Sequence, residues 1–297
     1  MSAIVDQAAG HAGPPQPDGR AAAPRARRRR SATLTIGLIL VGIIVVIAVV
    51  SFFWLPFAPS DISGGRLEQP GATHWLGTDK LGRDLTTQLM TGARIALAVG
   101  IGSVAIGAVI GITLGLLAAF ASAWLDDTIS AALDILIAFP TLLLAMLVVA
   151  AQGASLGTAI LAIGLAMSAV VARLTRVLAK RVLSQQYVTA ARTSGTGWLG
   201  VIGRHILPNI WPTLSVNLAL QFGVAVLAEA SLSYLGLGAP PPNASWGRLL
   251  QEAQGTVAVA PVGAIAPGVA LVVLVIGVNL VADGLRDVAD PTRRGSR

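Results

Sequence analysis

The chain consists of long apolar stretches separated by shorter polar ones. Stretches without any charged residue cover residues 31–60, 95–125, 135–172, 206–228 and 253–282. A helix that crosses the hydrocarbon core of a bilayer needs roughly 20 mostly apolar residues, so every stretch is long enough for one crossing. The third stretch is long enough for two, and the glycine-containing segment 152–157 divides it. The pattern therefore predicts an all-α polytopic membrane protein with six transmembrane helices.

These helices form one expected membrane domain, residues 31–290. The crossings are expected at about residues 34–55, 95–120, 133–152, 156–175, 211–234 and 262–284. In the second crossing, Gly107, Gly111 and Gly115 recur at every fourth position. Because this spacing of small residues lets two helices approach closely, we expect the second crossing to pack tightly against a neighbour.

Two polar segments between crossings carry short apolar stripes at helical spacing. Leu81, Leu85 and Leu89 lie four residues apart, which predicts a short helix lying flat at the membrane surface before the second crossing. Trp246 and Leu249 belong to a second stripe, completed by Leu250 and Ala253. This stripe predicts another interfacial helix, anchored at the membrane surface by its tryptophan.

Composition agrees with a membrane protein and excludes a soluble globular domain. The chain is 54% hydrophobic and 12% charged, with a mean hydropathy of +0.75, whereas soluble domains carry about 25% charged residues. It contains no cysteine, and its three histidines are far apart. Disulfides are thereby excluded, and no metal site is expected within the chain.

The net charge of +7 follows the topology of the membrane helices. Sixteen of the 21 lysines and arginines fall before residue 31, between residues 173 and 204, or after residue 285. Basic residues concentrate on the cytoplasmic side of membrane proteins, so both termini are expected in the cytoplasm. Residues 1–30 are expected to be a disordered basic tail, and residues 291–297 a second cytoplasmic tail. The bilayer, and no nucleic acid, is the partner that this charge distribution indicates.

The sequence offers no site for ATP hydrolysis or other catalysis. Neither Lys80 nor Lys180 follows a glycine, as the phosphate-binding GxxxxGK[ST] loop requires. No histidine and no pair of carboxylates falls inside an expected crossing, so the elements of a membrane-embedded catalytic site are also missing. We therefore expect a protein that is not itself an enzyme.

The basic segment between the fourth and fifth crossings is the main candidate site. Its residues 186–195 read QYVTAARTSG, where small Ala190 and Ala191 allow another surface to approach closely. Gly195 can adopt the left-handed conformation that ends a helix, and Pro208 favours the first turn of the next one. The segment is long enough for two short helices across the cytoplasmic ends of the crossings. Physical reasoning leaves open whether they dock on a partner or form a solvated loop held by anionic lipid.

The same residues carry a resemblance to a known family. Residues 186–195 and the run Arg204-His205-Ile206-Leu207-Pro208-Asn209 resemble the coupling loop of the permease subunits of dipeptide/oligopeptide ATP-binding-cassette (ABC) importers, of the DppC/OppC type. Four further segments follow the family pattern in order: residues 74–84, 227–238, 245–247 and 283–291. The resemblance covers about residues 34–292.

The resemblance implies a type I ABC importer permease in the plasma membrane of a prokaryote. Its partners would be a second homologous permease, two cytoplasmic ABC ATPases that bind the ATP and Mg, and an extracytoplasmic solute-binding protein. The coupling loop that receives the ATPases would comprise Gln186, Tyr187, Thr189, Ala190, Ala191, Arg192, Gly195, His205, Leu207 and Pro208. The family usually has glutamate at positions 186 and 189, so the neutral Gln186 and Thr189 would shift docking towards shape, Tyr187 and Arg192.

The fifth crossing contains three polar residues within an arc of about 120° at 100° per residue: Asn217, Gln221 and Glu229. Polar groups inside a crossing usually face a cavity or a neighbouring helix. They are therefore candidates for lining the translocation path, and hydrogen bonding to the partner permease is the alternative.

The expected function is import of di- or oligopeptides. The same family also carries nickel and other small solutes, so a nickel-type importer is an alternative within the class. A channel or membrane anchor that needs no ATPase is the alternative outside it.

Overall fold

The computed structural model describes residues 32–240 and 244–289, and every regular element within them is a helix. The helices are α1 (Ala32–Phe53), α2 (Leu85–Phe120), α3 (Ala123–Ala138), α4 (Thr141–Gln152), α5 (Leu156–Leu183), α6 (Gln186–Thr193), α7 (Trp198–Val201), α8 (Leu207–Tyr234), α9 (Trp246–Ala253) and α10 (Val262–Ala289). A π-helical turn, Ile202–Ile206, joins α7 to α8. The tails expected at residues 1–30 and 291–297 lie outside the described residues.

Five helices in the described part are long and apolar enough to cross a membrane: α1, α2, α5, the continuous helix Trp198–Tyr234, and α10. A sixth crossing exists if α3 and α4 are counted together. The third crossing was expected as one helix over residues 133–152, and here the structure differs, because α3 and α4 meet at 89°. Pro140 explains the break: a proline disfavours helical geometry at the residue before it, and Phe139 is extended (φ −80°, ψ 133°).

The contact between α2 and α5 confirms the tight packing expected from the glycine spacing. A Cβ atom added at Gly111 would lie 2.7 Å from the backbone oxygen of Ser168, and one at Gly115 would lie 2.5 Å from that of Ala172. Both distances are shorter than any side chain tolerates. The two helices can approach this closely only because these positions lack side chains.

The expected surface helix around Leu81 is wrong. Leu81 lies in a turn, and α2 begins at Leu85 and continues without interruption to Phe120. The Asp84 carboxylate caps α2 by accepting a hydrogen bond from the Thr87 amide at 2.7 Å, which is a standard helix start. Leu85 is buried and Leu89 half-buried, whereas Leu81 is exposed, so the three residues do not form one stripe on the membrane surface.

The expected helix at Trp246 exists as α9, but its anchoring at the membrane surface is wrong. Trp246 is only 2% exposed, and its Nε1 donates a hydrogen bond to the Leu89 carbonyl at 2.9 Å. The indole occupies the space beside Gly92, where a Cβ atom would lie 2.4 Å from the ring. Helix α9 is therefore held in the core between α2 and α8.

Candidate functional site

Helix α6 buries a single side chain against the bundle. Val188 is 1% exposed and belongs to an apolar cluster with Val182 of α5 and Leu214 of α8. Leu116, near the end of α2, packs against the same cluster. Because most of the eight residues of α6 remain exposed, the helix presents one apolar contact inward and a broad face outward.

The end of α6 is connected to α2 through aromatic contacts. Gly195 has φ +88°, as expected for a residue that ends a helix. The Arg192 guanidinium then lies 3.9 Å from the centre of the Trp198 ring, a cation–π arrangement. Trp198 in turn meets Phe120 edge-on, with ring centres 4.8 Å apart. The Trp198 ring of α7 thus links the end of α6 to the end of α2.

The start of α6 is connected to α8. Asn209 Nδ2 donates a hydrogen bond to the Tyr187 hydroxyl at 2.6 Å, and the ring centres of Tyr187 and His205 are 6.0 Å apart. Pro208 lies in the first turn of α8, as expected. The second short helix, however, is only the four-residue α7, since Trp198–Tyr234 forms one continuous helical path. The π turn makes this possible by bonding the Leu207 amide to the Ile202 carbonyl just before the proline.

The outward face of α6 collects most of the residues expected in the coupling loop. We define the α6 surface as its exposed residues, which are Gln186, Tyr187, Thr189, Ala190, Arg192 and Thr193. Gly195 and Pro208 are also exposed, whereas Ala191, His205 and Leu207 are half-buried behind this surface. The sequence analysis missed Leu199, which is 86% exposed; no local signal marked it, because its neighbours Trp198, Val201 and Ile202 are apolar too.

The three polar residues of α8 lie in different surroundings. Glu229 is 2% exposed and accepts a hydrogen bond from the Ser233 hydroxyl at 2.6 Å, and it also interacts with Ser245 at the start of α9. Gln221 is half-buried. Asn217 borders a cavity of about 450 Å³ together with Arg286 of α10. The structure thus places Asn217 beside open space and Glu229 beneath a packed helix.

Asp126 is a further buried charge that the sequence analysis did not single out. It is buried at the start of α3 and receives two hydrogen bonds from Arg176, at 2.5 and 2.8 Å, and another from Lys180. This cluster ties α3 to the basic end of α5. The partners are about 50 residues apart in sequence, so no local pattern could reveal them. In the described part, no group of three or more His, Cys, Asp or Glu side chains is placed to hold a metal ion.

A bundle of five or six helices long and apolar enough to cross a membrane is the architecture of a polytopic membrane protein. The chain belongs to the family of binding-protein-dependent transport system inner membrane components, whose pattern matches residues 111–295.

Two relatives extend this likeness over most of the chain. The chain is 39% identical over 256 residues to the glutathione transport system permease protein GsiD of Pectobacterium atrosepticum, covering 84% of this chain and 85% of that protein. It is 37% identical over 257 residues to the dipeptide transport system permease protein DppC of Alkalihalophilus pseudofirmus, covering 86% and 84%.

Solved structures agree on the fold. The chain matches a chain from the inward-facing MetNI methionine ABC transporter with a TM-score of 0.58 and 23% identity, over 68% of this chain and 97% of that one. A second match, to an amino acid ABC transporter, has a TM-score of 0.55 and 17% identity, over 68% and 94%. The chain is therefore a multi-pass membrane permease subunit of an ABC importer.

Proposed function

We propose that this permease imports short peptides and that it forms the translocation path together with a second homologous permease. The observation that carries the proposal is the identity of 37–39% with DppC and GsiD over more than four fifths of the chain. One relative is named for dipeptides and the other for glutathione, itself a small peptide. The substrate class common to both is a short chain with amide bonds and a free carboxylate.

Energy would come from two cytoplasmic ABC ATPases, and substrate from an extracytoplasmic solute-binding protein. This chain itself would bind neither ATP nor Mg, since it lacks a GxxxxGK[ST] loop. The basic segments support a type I arrangement of six crossings in a prokaryotic plasma membrane, with both termini and the α6 surface on the cytoplasmic side. The bent pair α3–α4 would then be the third crossing.

The α6 surface is proposed as the docking site of an ATPase. It is exposed, and behind it Val188 of the same helix belongs to the apolar cluster that α2, α5 and α8 share. Movement of the ATPase would therefore be transmitted to three crossings at once, shifting the balance between inward- and outward-open states. With neutral Gln186 and Thr189, docking would rely on the Tyr187 ring, the Arg192 charge and the small Ala190.

The docking proposal is tested by enlarging Ala190. We expect Ala190→Trp to abolish copurification of the ATPase subunits and peptide uptake, because a bulky ring prevents close approach of the two surfaces. Ala72→Trp, at an exposed site in the outer loop, is the matched control and should retain the ATPases. Retention by both variants would contradict docking at α6 and favour a channel or anchor that needs no ATPase.

The substrate class is tested with the complete complex in lipid vesicles. ATPase activity should rise when the solute-binding protein is loaded with a dipeptide and remain basal when it is supplied with nickel. A response to nickel alone would replace the peptide proposal with the nickel-type alternative.

A further inference from the structure

The end of the bundle that carries α6 holds more positive charge than negative. Between residues 135 and 228 the chain contains no aspartate and no glutamate. The same stretch contains six basic residues: Arg173, Arg176, Lys180, Arg181, Arg192 and Arg204. Carboxylates that pair with them must therefore come from elsewhere in the chain or from another molecule.

Three of the six basic residues are paired within the fold, at the contact between α3 and α5. The Arg173 guanidinium lies 3.2 Å from the Asp134 carboxylate. Arg176 and Lys180 both pair with Asp126. These three basic residues therefore have their counter-ions inside the protein.

Arg181, Arg192 and Arg204 have no such counter-ion. Among the residues that the structure describes, they form no ion pair, and all three are exposed. Arg192 is part of the α6 surface. Arg181 borders a groove of about 340 Å³ together with Tyr187 of that surface. Arg204 precedes His205, whose ring centre lies 6.0 Å from that of Tyr187. We call these three arginines the basic triplet.

Anionic lipid headgroups are one source of negative charge at a membrane, and the depth of Arg181 argues against them. The apolar stretch of α5 ends at Ala172, and its first basic residue is Arg173. Arg181 lies eight residues further along the helix, which is about 12 Å at 1.5 Å per residue. The headgroup layer is only about 5–8 Å thick on each side of a bilayer. Arg181 and the groove that it borders therefore lie on the water side of this layer.

We propose that the basic triplet and the α6 surface bind an ATPase through carboxylates that the ATPase supplies, an inference that rests on the proposed docking at α6. The α6 surface itself contains no acidic residue, so its charge is complementary to an acidic partner. Arginine binds a carboxylate with two parallel hydrogen bonds, and opposite charges across an interface fix its register and disfavour wrong partners. The partner is thus an ATPase whose docking groove is lined by aspartate or glutamate.

Cross-linking with a carbodiimide tests the proposal, because this reagent joins a lysine amine directly to a carboxylate and does not act on arginine. Arg181→Lys, Arg192→Lys and Arg204→Lys are made one at a time and assembled with the ATPases in nanodiscs of phosphatidylcholine. We expect these variants to form a covalent product with an ATPase subunit. Mass spectrometry of the joined peptides should place the new bond on an aspartate or glutamate of the ATPase.

The unmodified complex gives the background that Lys180 produces in the cross-linking experiment. Arg66→Lys, at an exposed site of the outer loop, is the matched control and should add no product to this background. If none of the three triplet variants exceeds the background in complexes that retain the ATPases, the proposal is wrong.

The dependence of binding on salt gives a second measurement. The three arginines are replaced together by glutamine, and ATPase binding should weaken at least about tenfold at about 0.1 M salt. The difference should largely disappear at about 1 M, where charges are screened within about 3 Å. Replacement of all three by lysine keeps the charges and should keep most of the affinity. ATPase binding by the unmodified complex that did not change with salt would overturn the proposal even if the glutamine variant failed to fold.

A repeat in phosphatidylglycerol nanodiscs covers the lipid alternative. If the glutamine variant loses bound phosphatidylglycerol and retains the ATPases, the triplet is a headgroup surface and the proposal is wrong. ATPases that copurify with the unmodified chain but form no cross-link with any lysine variant would overturn the charge assignment and leave the proposed function intact. An unmodified chain that binds no ATPase would overturn the proposed function itself.

Discussion

Helices α1 and α8 both expose a long side to their surroundings, but the two sides differ in chemistry. From Ile36 onwards the exposed side of α1 is apolar, and it includes Ile36, Ile39, Ile43, Val46 and Phe53. The open side of α8 follows a repeat of alternating four- and three-residue steps: Thr213, Asn217, Leu220, Val224, Leu227, Ser231 and Tyr234. Its polar members lie towards both ends and its apolar members in the middle.

The difference indicates what each helix faces. Lipid tails provide no hydrogen-bond partners, so a side made of aliphatic and aromatic hydrocarbon side chains is suited to lipid. Polar groups within a crossing usually face a cavity or another helix, and α8 carries several. An exposed side of the isolated chain can therefore be suited to lipid, as on α1, or to a cavity or another helix, as on α8. The presence of polar residues distinguishes the two cases.

Placing a charge at the middle of each exposed side should produce the largest contrast. Ile43→Arg would put a cation into lipid at a cost of about 3 kcal/mol, so we expect little correctly inserted protein in the membrane fraction. If this side of α8 faces the proposed partner permease or translocation path, Val224→Arg should insert at nearly the normal level and yet abolish transport. Equal loss of inserted protein for both variants would show that α8 also faces lipid and would break the comparison.

A substitution on the side of α1 that packs against α10 should have an intermediate effect, on the stability of the fold. A Cβ atom at Gly37 would lie 2.7 Å from the Val281 backbone nitrogen and 2.8 Å from the Gly277 oxygen, and backbone atoms cannot move aside easily. We expect Gly37→Ala to separate α1 from α10 at a cost of about 1–3 kcal/mol, measured as a lower Tm in detergent.

Gly42→Ala is the matched control on the same helix, since nothing lies within 4 Å of its added Cβ. It should leave the Tm unchanged or raise it slightly, because alanine is the better helix former. Equal losses at both glycines would mean that α1 is not held by this close contact.

Removing single hydroxyl groups should produce the smallest effect. Thr213→Val and Tyr234→Phe preserve shape on the α8 side, and each should reduce peptide uptake about two- to tenfold, the usual value of one hydrogen bond. Val50→Thr adds a hydroxyl on the lipid side of α1, where it can bond to its own helix backbone, and should leave uptake unchanged. A loss with Val50→Thr that matched the α8 variants would remove the distinction between the two sides.

Much of the fold could be predicted because bilayers impose local rules. The apolar stretches correspond to the long helices, the glycines of α2 mark its contact with α5, and Gly195 ends α6 as its residue type suggests. The errors arose where a locally amphipathic stripe is covered by protein. Leu85 and Trp246 looked suited to the membrane surface, yet both are buried.

The candidate functional residues also fall into those that sequence patterns could identify and those that they could not. The α6 surface lies within one continuous segment, so its residues were accessible to sequence patterns and to family resemblance. Helical spacing places the three polar residues of α8 on one face. In the structure α9 covers Glu229, whereas Asn217 borders the cavity. No property of α8 alone could separate them.

The sequence alone determined the membrane class, the approximate positions of the crossings and the bias of positive charge. Each of these depends on runs of residue types within about 20 positions. Tertiary structure decided that Trp246 fills the space at Gly92, that Asp126 receives Arg176, and that Asn217 meets the same cavity as Arg286. The partners in these pairs are about 50 to 150 residues apart. Their proximity depends on how whole helices cross and pack, which no short stretch of sequence encodes.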